Sequence, residues 1–208
     1  INLAGPEPMP AVSPPTIGAE DIPDDAHVID IRPQADYAAG HLPGSYGLEL
    51  EDQMGVWAGW LVPFDEPIVL VANLNQDVAA AVIQLARIGY DRVVGVVTDL
   101  GLDVDLATYR LASIAELRHE LREASPQVLD VRAPGDWEVS TIPGSFQRYV
   151  PDLRSHLPEG LDPDRPVWII CGGGYRSQMA VRYLEADGYE PIVVTGGGVA
   201  DVLAGNQA

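Results

Sequence analysis

Cys171, the one cysteine of the 208-residue chain, follows the apolar run Val167-Trp-Ile-Ile170 and precedes Gly172-Gly173-Gly174-Tyr175-Arg176-Ser177. Alone, a cysteine after a hydrophobic strand reads as a small buried hydrophobe. The glycine-lined continuation with a guanidinium points to chemistry instead. Glycines tolerate positive φ and have no side chain to block a concavity, so successive N–H groups can turn inward. Set beside a helix N-terminus, such a cradle favours a thiolate that stays reactive at neutral pH. It would also hold a second anionic group placed on that sulfur.

The elements needed to position this group follow from the pattern. The apolar run reads as a buried strand, the glycines as a tight loop, and Met179, Ala180, Tyr183 and Leu184 as one face of a helix. Upstream, His27-Val-Ile-Asp-Ile31, Pro67-Ile-Val-Leu-Val71 and Arg92-Val-Val-Gly-Val-Val97 read as strands. A helical pattern over Val78, Ala81, Val82, Leu85 and Ala86 ends at Gly89. Alternating strands and helices imply a parallel sheet with helices on both faces.

The pattern occurs twice. Asp130-Val-Arg132, Asp136-Trp137 and Ile142-Pro-Gly-Ser145 repeat Asp30-Ile-Arg32, Asp36-Tyr37 and Leu42-Pro-Gly-Ser45 at an offset of 100. Pro166, Leu184 and Gly188-Tyr189 repeat Pro67, Leu85 and Gly89-Tyr90 at 99, so one deletion separates the two blocks. The chain is therefore expected to hold a linker at 1–17, a first copy at 18–106 and a second at 107–208. Pro6, Pro8, Pro10, Pro14 and Pro15 argue against regular structure in the linker. At the same offset Cys171 falls on Ala72, the three glycines on Asn73-Leu74-Asn75, and Arg176 on Asp77. The first copy is expected to be chemically silent, because it has no nucleophile and a carboxylate replaces the guanidinium.

The Cys-x-x-Gly-x-Arg spacing resembles the active-site loop of rhodanese-family sulfurtransferases, one residue shorter than the loop of cysteine-dependent phosphatases. Asp-x-Arg, Asp-aromatic and Pro-Gly-Ser also resemble that family, in both copies, so the resemblance covers nearly everything after residue 17. It implies a fold of two similar rhodanese-like α/β domains, the C-terminal one active and the N-terminal one not. It further implies that Cys171 takes sulfane sulfur from thiosulfate or a persulfide and passes it to a thiol or cyanide. The amides of Gly172, Gly173, Gly174, Tyr175, Arg176 and Ser177 would stabilise charge on that sulfur. Arg176 either contacts the donor or pins the loop through a buried carboxylate. Tyr175 lines the mouth or simply packs, and Ser177 caps the helix. Asp130 and Arg132 support the loop or, as the better reading, form a fold-stabilising pair. Departures from the family pattern are Ser140-Thr141 in place of Gly40-His41, and Gly172 where many thiosulfate-using members carry a basic residue.

Composition narrows the alternatives. A net charge of −19 argues against nucleic acid and anionic membranes as partners. The chain has no lysine, which excludes Schiff-base chemistry and lysine-based phosphate loops. One cysteine excludes an intrachain disulfide and fits a reducing, cytoplasmic setting. His27, His41, His119 and His156 show no ligand spacing and are expected at the surface or at caps, so no metal and no cofactor is expected. No apolar run approaches a membrane span. The chain opens on Ile1, which suggests a fragment or processed product, and Trp57-Ala-Gly-Trp60 with the proline-rich start resembles rhodanese portions fused behind metallo-β-lactamase-like persulfide dioxygenases. Two other function classes stay open, a non-catalytic binding or regulatory module and a cysteine phosphatase or arsenate reductase.

Overall fold

The computed structural model describes residues 13–204, so most of the expected linker lies outside the described residues. The first copy runs β1 (His27–Asp30), α1 (Gln34–Ala39), β2 (Tyr46–Gly47), α2 (Met54–Leu61), β3 (Ile68–Val71), α3 (Val78–Ala86) and β4 (Val93–Val97). Its strands form a parallel sheet in the order β2-β1-β3-β4. The second copy runs β5 (Arg110–Ser113), α4 (Ile114–Glu123), β6 (Gln127–Asp130), α5 (Pro134–Val139), β7 (Phe146–Gln147), β8 (Val167–Ile170), α6 (Tyr175–Met179), α7 (Val181–Ala186), β9 (Pro191–Thr195) and α8 (Val199–Ala204). Its order, β7-β6-β8-β9-β5, repeats the first sheet and adds β5 at one edge. Among the described residues no helix is long and apolar enough to cross a membrane.

The extra strand has a remnant in the first copy. Thr16 forms a parallel bridge to Val96, with Ile17 N–H donating to Val96 O at 3.0 Å and Val96 N–H to Pro15 O at 2.9 Å. The prolines exclude a longer strand, but an edge tolerates them because one side of the chain makes no ladder bonds. The linker therefore ends as a stub of sheet.

Strand alternation sorts the side chains into faces. Ile68, Leu70 and Ala72 in the first copy, and Val167, Ile169 and Cys171 in the second, point into one buried cluster that contains residues of both copies. Helices α2, α3, α6 and α7 contribute Met54, Leu85, Met179 and Leu184 to it. Each such fully buried side chain stabilises the fold by roughly 1.5–3 kcal/mol. The opposite face of the second sheet is covered by α4 and α8 through Leu117, Val199 and Val202. In the first copy, among the described residues, that face meets a 3-10 turn, Ala19–Asp21, and loop residues such as Ile17, Ile22 and Leu100.

Polar contacts also join the copies. Tyr175 Oη donates to Glu49 O at 2.9 Å and Gln34 Nε2 to Gly174 O at 3.2 Å. The Arg182 guanidinium lies 3.5 Å from the Tyr46 ring centroid, a cation–π contact. His41, expected at the surface or a cap, is fully buried. Its ring stacks on Tyr37 at 4.0 Å, Nδ1 bonds Tyr37 O at 2.9 Å, and Nε2 meets Glu185 of the second copy at 3.1 Å. Both ring nitrogens are thereby satisfied, which makes burial tolerable. His27 pairs with Glu66, and His119 and His156 are exposed. Among the described residues no group of three or more histidine, cysteine or acidic side chains could hold a metal.

Candidate active site

Period-2 alternation on β8 turns Cys171 toward the shared cluster and away from α4 and α8. Its side chain is nearly sealed, at 1% exposure, and the amide of Gly174 donates to Sγ at 3.0 Å. Gly174 adopts φ +96°, a conformation that strains any residue with a Cβ, and it is this turn that aims the amide at the sulfur. A second glycine triplet supports the loop from behind. Val199 N–H donates to Cys171 O at 3.0 Å, and a Cβ on Gly198 would run into the carbonyl of Gly172. Gly196-Gly197-Gly198 after β9 is the sequence signal for this support.

The other loop residues have separate tasks. Arg176 Nη1 reaches Asp136 Oδ2 at 3.3 Å; the two side chains are 24% and 43% exposed. The carboxylate expected to pin Arg176 is thus half exposed, and such a pair is worth about 1 kcal/mol or less. The guanidinium lies over Gly172, within 3.0 Å of where a Cβ would stand. Tyr175 packs against the first copy through Glu49 and lines the opening as well, with burial pushing its phenol far up. Ser177 is not a cap. Gly174 holds the N-cap position and Ser177 lies within α6, fully buried, with no hydrogen-bond partner for Oγ among the described residues. Its amide donates back to Gly174 O at 3.2 Å and so is not turned toward the sulfur.

Asp130 and Arg132 form a closed fork. Arg132 Nε and Nη2 bond the two carboxylate oxygens at 2.9 and 2.7 Å, and Nη2 also donates to Ser140 O at 2.6 Å. Asp30 and Arg32 make the same fork in the first copy, with Gly40 O as the third partner. A pair present in both copies, one of them without a nucleophile, belongs to the fold.

The cleft in front of Cys171 has a volume of about 340 Å³ and is lined by Gln53, Trp57, Cys171, Gly173, Tyr175 and Arg176. Gln53 and Trp57 come from the start of α2, so the first copy walls the Cys171 loop of the second. No local pattern marked them, because residues more than 110 positions away complete this wall.

The matching loop of the first copy is closed by its own side chains. Asn73 Nδ2 donates to Asp36 Oδ2 at 2.6 Å, where Asp136 receives Arg176 in the second copy. Gln76 accepts from Asn73 N–H at 3.0 Å and donates to Ile31 O. Asp77 Oδ1 accepts from Ala80 N–H at 3.0 Å and caps α3, filling with a carboxylate the place an anion would take.

Comparison with known proteins decides the family. The rhodanese-like domain family matches residues 18–99 and 113–204, one match for each sheet. The chain belongs to the rhodanese-like domain family. A thiosulfate sulfurtransferase GlpE of Shewanella oneidensis is 27% identical over 93 residues, 45% of this chain and 91% of that protein. A rhodanese-like/PpiC domain-containing protein 12 of Arabidopsis thaliana is 29% identical over 79 residues, and the chain covers 25% of its length. Among solved structures, a thiosulfate sulfurtransferase from Pseudomonas aeruginosa is 21% identical over 88% of this chain and 37% of that one, with a TM-score of 0.41.

Proposed function

We propose that the chain is a sulfurtransferase whose second rhodanese-like copy carries sulfane sulfur on Cys171. The observation that carries this reading is the Gly174 amide at 3.0 Å from a Sγ that faces a cleft at the end of the central strand. With thiosulfate as donor, the Cys171 thiolate attacks the outer sulfur, the S–S bond of thiosulfate breaks, and its electron pair leaves with sulfite. With a persulfide donor, the outer sulfur moves to Sγ and the donor's thiolate departs. The Gly174 N–H holds the sulfur that receives charge, as a preorganised dipole does in other anionic intermediates. In the second half-reaction a nucleophile takes the outer sulfur, and the electron pair of the Sγ–S bond returns to Cys171 as thiolate. Cyanide leaves as thiocyanate and a thiolate leaves as a persulfide.

Among the described residues Arg176 is the only basic side chain lining the Cys171 cleft, and it is shared with Asp136. A dianionic donor therefore finds little compensation there, which favours a persulfide over thiosulfate. The test is intact mass before and after each donor. A gain of one sulfur atom, removed by cyanide and missing in Cys171→Ser, is the expected result. No gain with either donor would refute the reading.

A further inference from the structure

Cys171 is 1% exposed, yet it forms part of the wall of a cleft. Access to its sulfur is therefore set by the side chains that stand around it. Gly173, Tyr175 and Arg176 come from its own loop, while Gln53 and Trp57 come from the other copy. The part of the wall supplied by the first copy is fastened in place. Trp57 is 9% exposed, packs in the cluster that both copies share, and meets the ring of Tyr149 edge-on at 6.4 Å. Gly55, between Gln53 and Trp57, donates its N–H to Gln84 Oε1 at 2.9 Å. A Cβ on Gly55 would stand 2.8 Å from Gln84 O, so α2 lies hard against α3 and has no room to settle further. Two hydrogen bonds fasten the Cys171 loop to the same copy, Tyr175 Oη to Glu49 O and Gln34 Nε2 to Gly174 O. The space left between these walls is about 340 Å³, the size of clefts that take one small molecule.

We propose, on the basis of the sulfurtransferase reading above, that Gln53 and Trp57 make the first copy a size filter. The site exchanges sulfur with small free thiols and persulfides and excludes cysteines carried on folded proteins. A surface cysteine holds its sulfur one bond beyond Cβ. Its own backbone meets Gln53, Trp57 and Tyr175 before the two sulfurs come into line. A free thiol or persulfide brings no such bulk and enters the cleft whole. The bonds made and broken are those given above, and the filter acts only on approach to Sγ. The first copy, which has no nucleophile, then has a task, which is selection of the sulfur donor and acceptor by size.

Because Cys171 is the only thiol of the chain, its rate of disulfide formation reports access directly. The probes are two mixed disulfides of thionitrobenzoate, one with mercaptoethanol and one with a folded protein that carries a single surface cysteine. In each, the Cys171 thiolate attacks the partner sulfur, the S–S bond breaks, and its electron pair leaves as coloured thionitrobenzoate. The small-over-protein rate ratio is referenced to that of a free cysteine peptide. It should exceed the reference by at least about a hundredfold, the loss that follows when reacting atoms are held an ångström out of place. It should fall several-fold in Trp57→Ala and in Gln53→Ala, and stay unchanged in Trp60→Ala, an exposed residue of the same helix outside the cleft. Gln53 is exposed, so its variant tests the filter even if Trp57→Ala does not fold. A wild-type ratio equal to the reference would overturn the proposal, as would a ratio that Gln53→Ala leaves unchanged or that Trp60→Ala lowers as much. Reaction with neither probe would place Cys171 out of reach of the cleft and overturn it too. The ratio is read without any sulfur loaded, so it stands apart from failure of the sulfurtransferase reading, which donor uptake measures.

Discussion

The two copies share a sheet order and the Asp–Arg fork after the first strand, yet they differ at the tip of one strand. In the second copy, three glycines, a buried thiol and a positive-φ turn leave a cleft open before Sγ. In the first, Asn73, Gln76 and Asp77 close the same loop with side-chain hydrogen bonds, and Leu74 is 80% exposed where the second copy has Gly173. Fold and chemistry are separable here. The sheet sets where the loop stands, and six loop residues set whether anything can bind there. The first copy is nonetheless part of the cleft, since its Gln53 and Trp57 complete the wall.

The largest effect expected from testing this contrast is all-or-none. Cys171→Ser should abolish sulfur uptake, and adding Ala72→Cys to it should not restore uptake, because the first loop stays closed. Restored uptake, read by intact mass, would show that the sheet alone makes a site.

Next come the two forks. Asp30→Ala and Asp130→Ala should each destabilise the chain by about 3–5 kcal/mol in denaturant melts, because each leaves an arginine buried without its carboxylate. If sulfur transfer fell in Asp130→Ala while stability was kept, the fork would belong to the chemistry. A smaller loss, about 1–3 kcal/mol, is expected for Gly198→Ala, whose new methyl pushes on Gly172 O. Here activity should fall with stability, because the displaced backbone carries Cys171. By strand register the corresponding residue of the first copy is Gly101.

The smallest effect concerns α4, which covers one face of the second sheet. Ser113 and Glu116 form a capping box on α4, and the Ser113 amide and hydroxyl with Arg110 hold Glu116 down at about 2. A carboxyl depressed in the folded state stabilises above its unfolded value near 4.5 and loses that contribution as pH falls toward 2. Glu116→Gln should therefore lower Tm slightly at neutral pH, with the difference from wild type vanishing by about pH 2. A difference independent of pH would mean that charge at Glu116 plays no part.

How much of this was legible in the sequence depends on the range of the interaction. The strand–loop–helix around Cys171 and the repeat with its offset change were readable, because alternation, glycine runs and spacing are local signals. Ser177 was misplaced by one structural fact: Gly174 holds the N-cap position, so a residue that looks like a cap lies inside the helix. His41 was misjudged for a longer-range reason. Its partner Glu185 lies 144 residues away, and no pattern near His41 announces a buried acceptor.

The central claim is that one copy carries sulfur and the other does not, and single-turnover release to cyanide tests it most directly. Protein loaded with a persulfide donor, freed of excess donor and treated with cyanide should yield one thiocyanate per chain, and Cys171→Ser should yield none. No thiocyanate from the wild type, or an equal yield from Cys171→Ser, would contradict it.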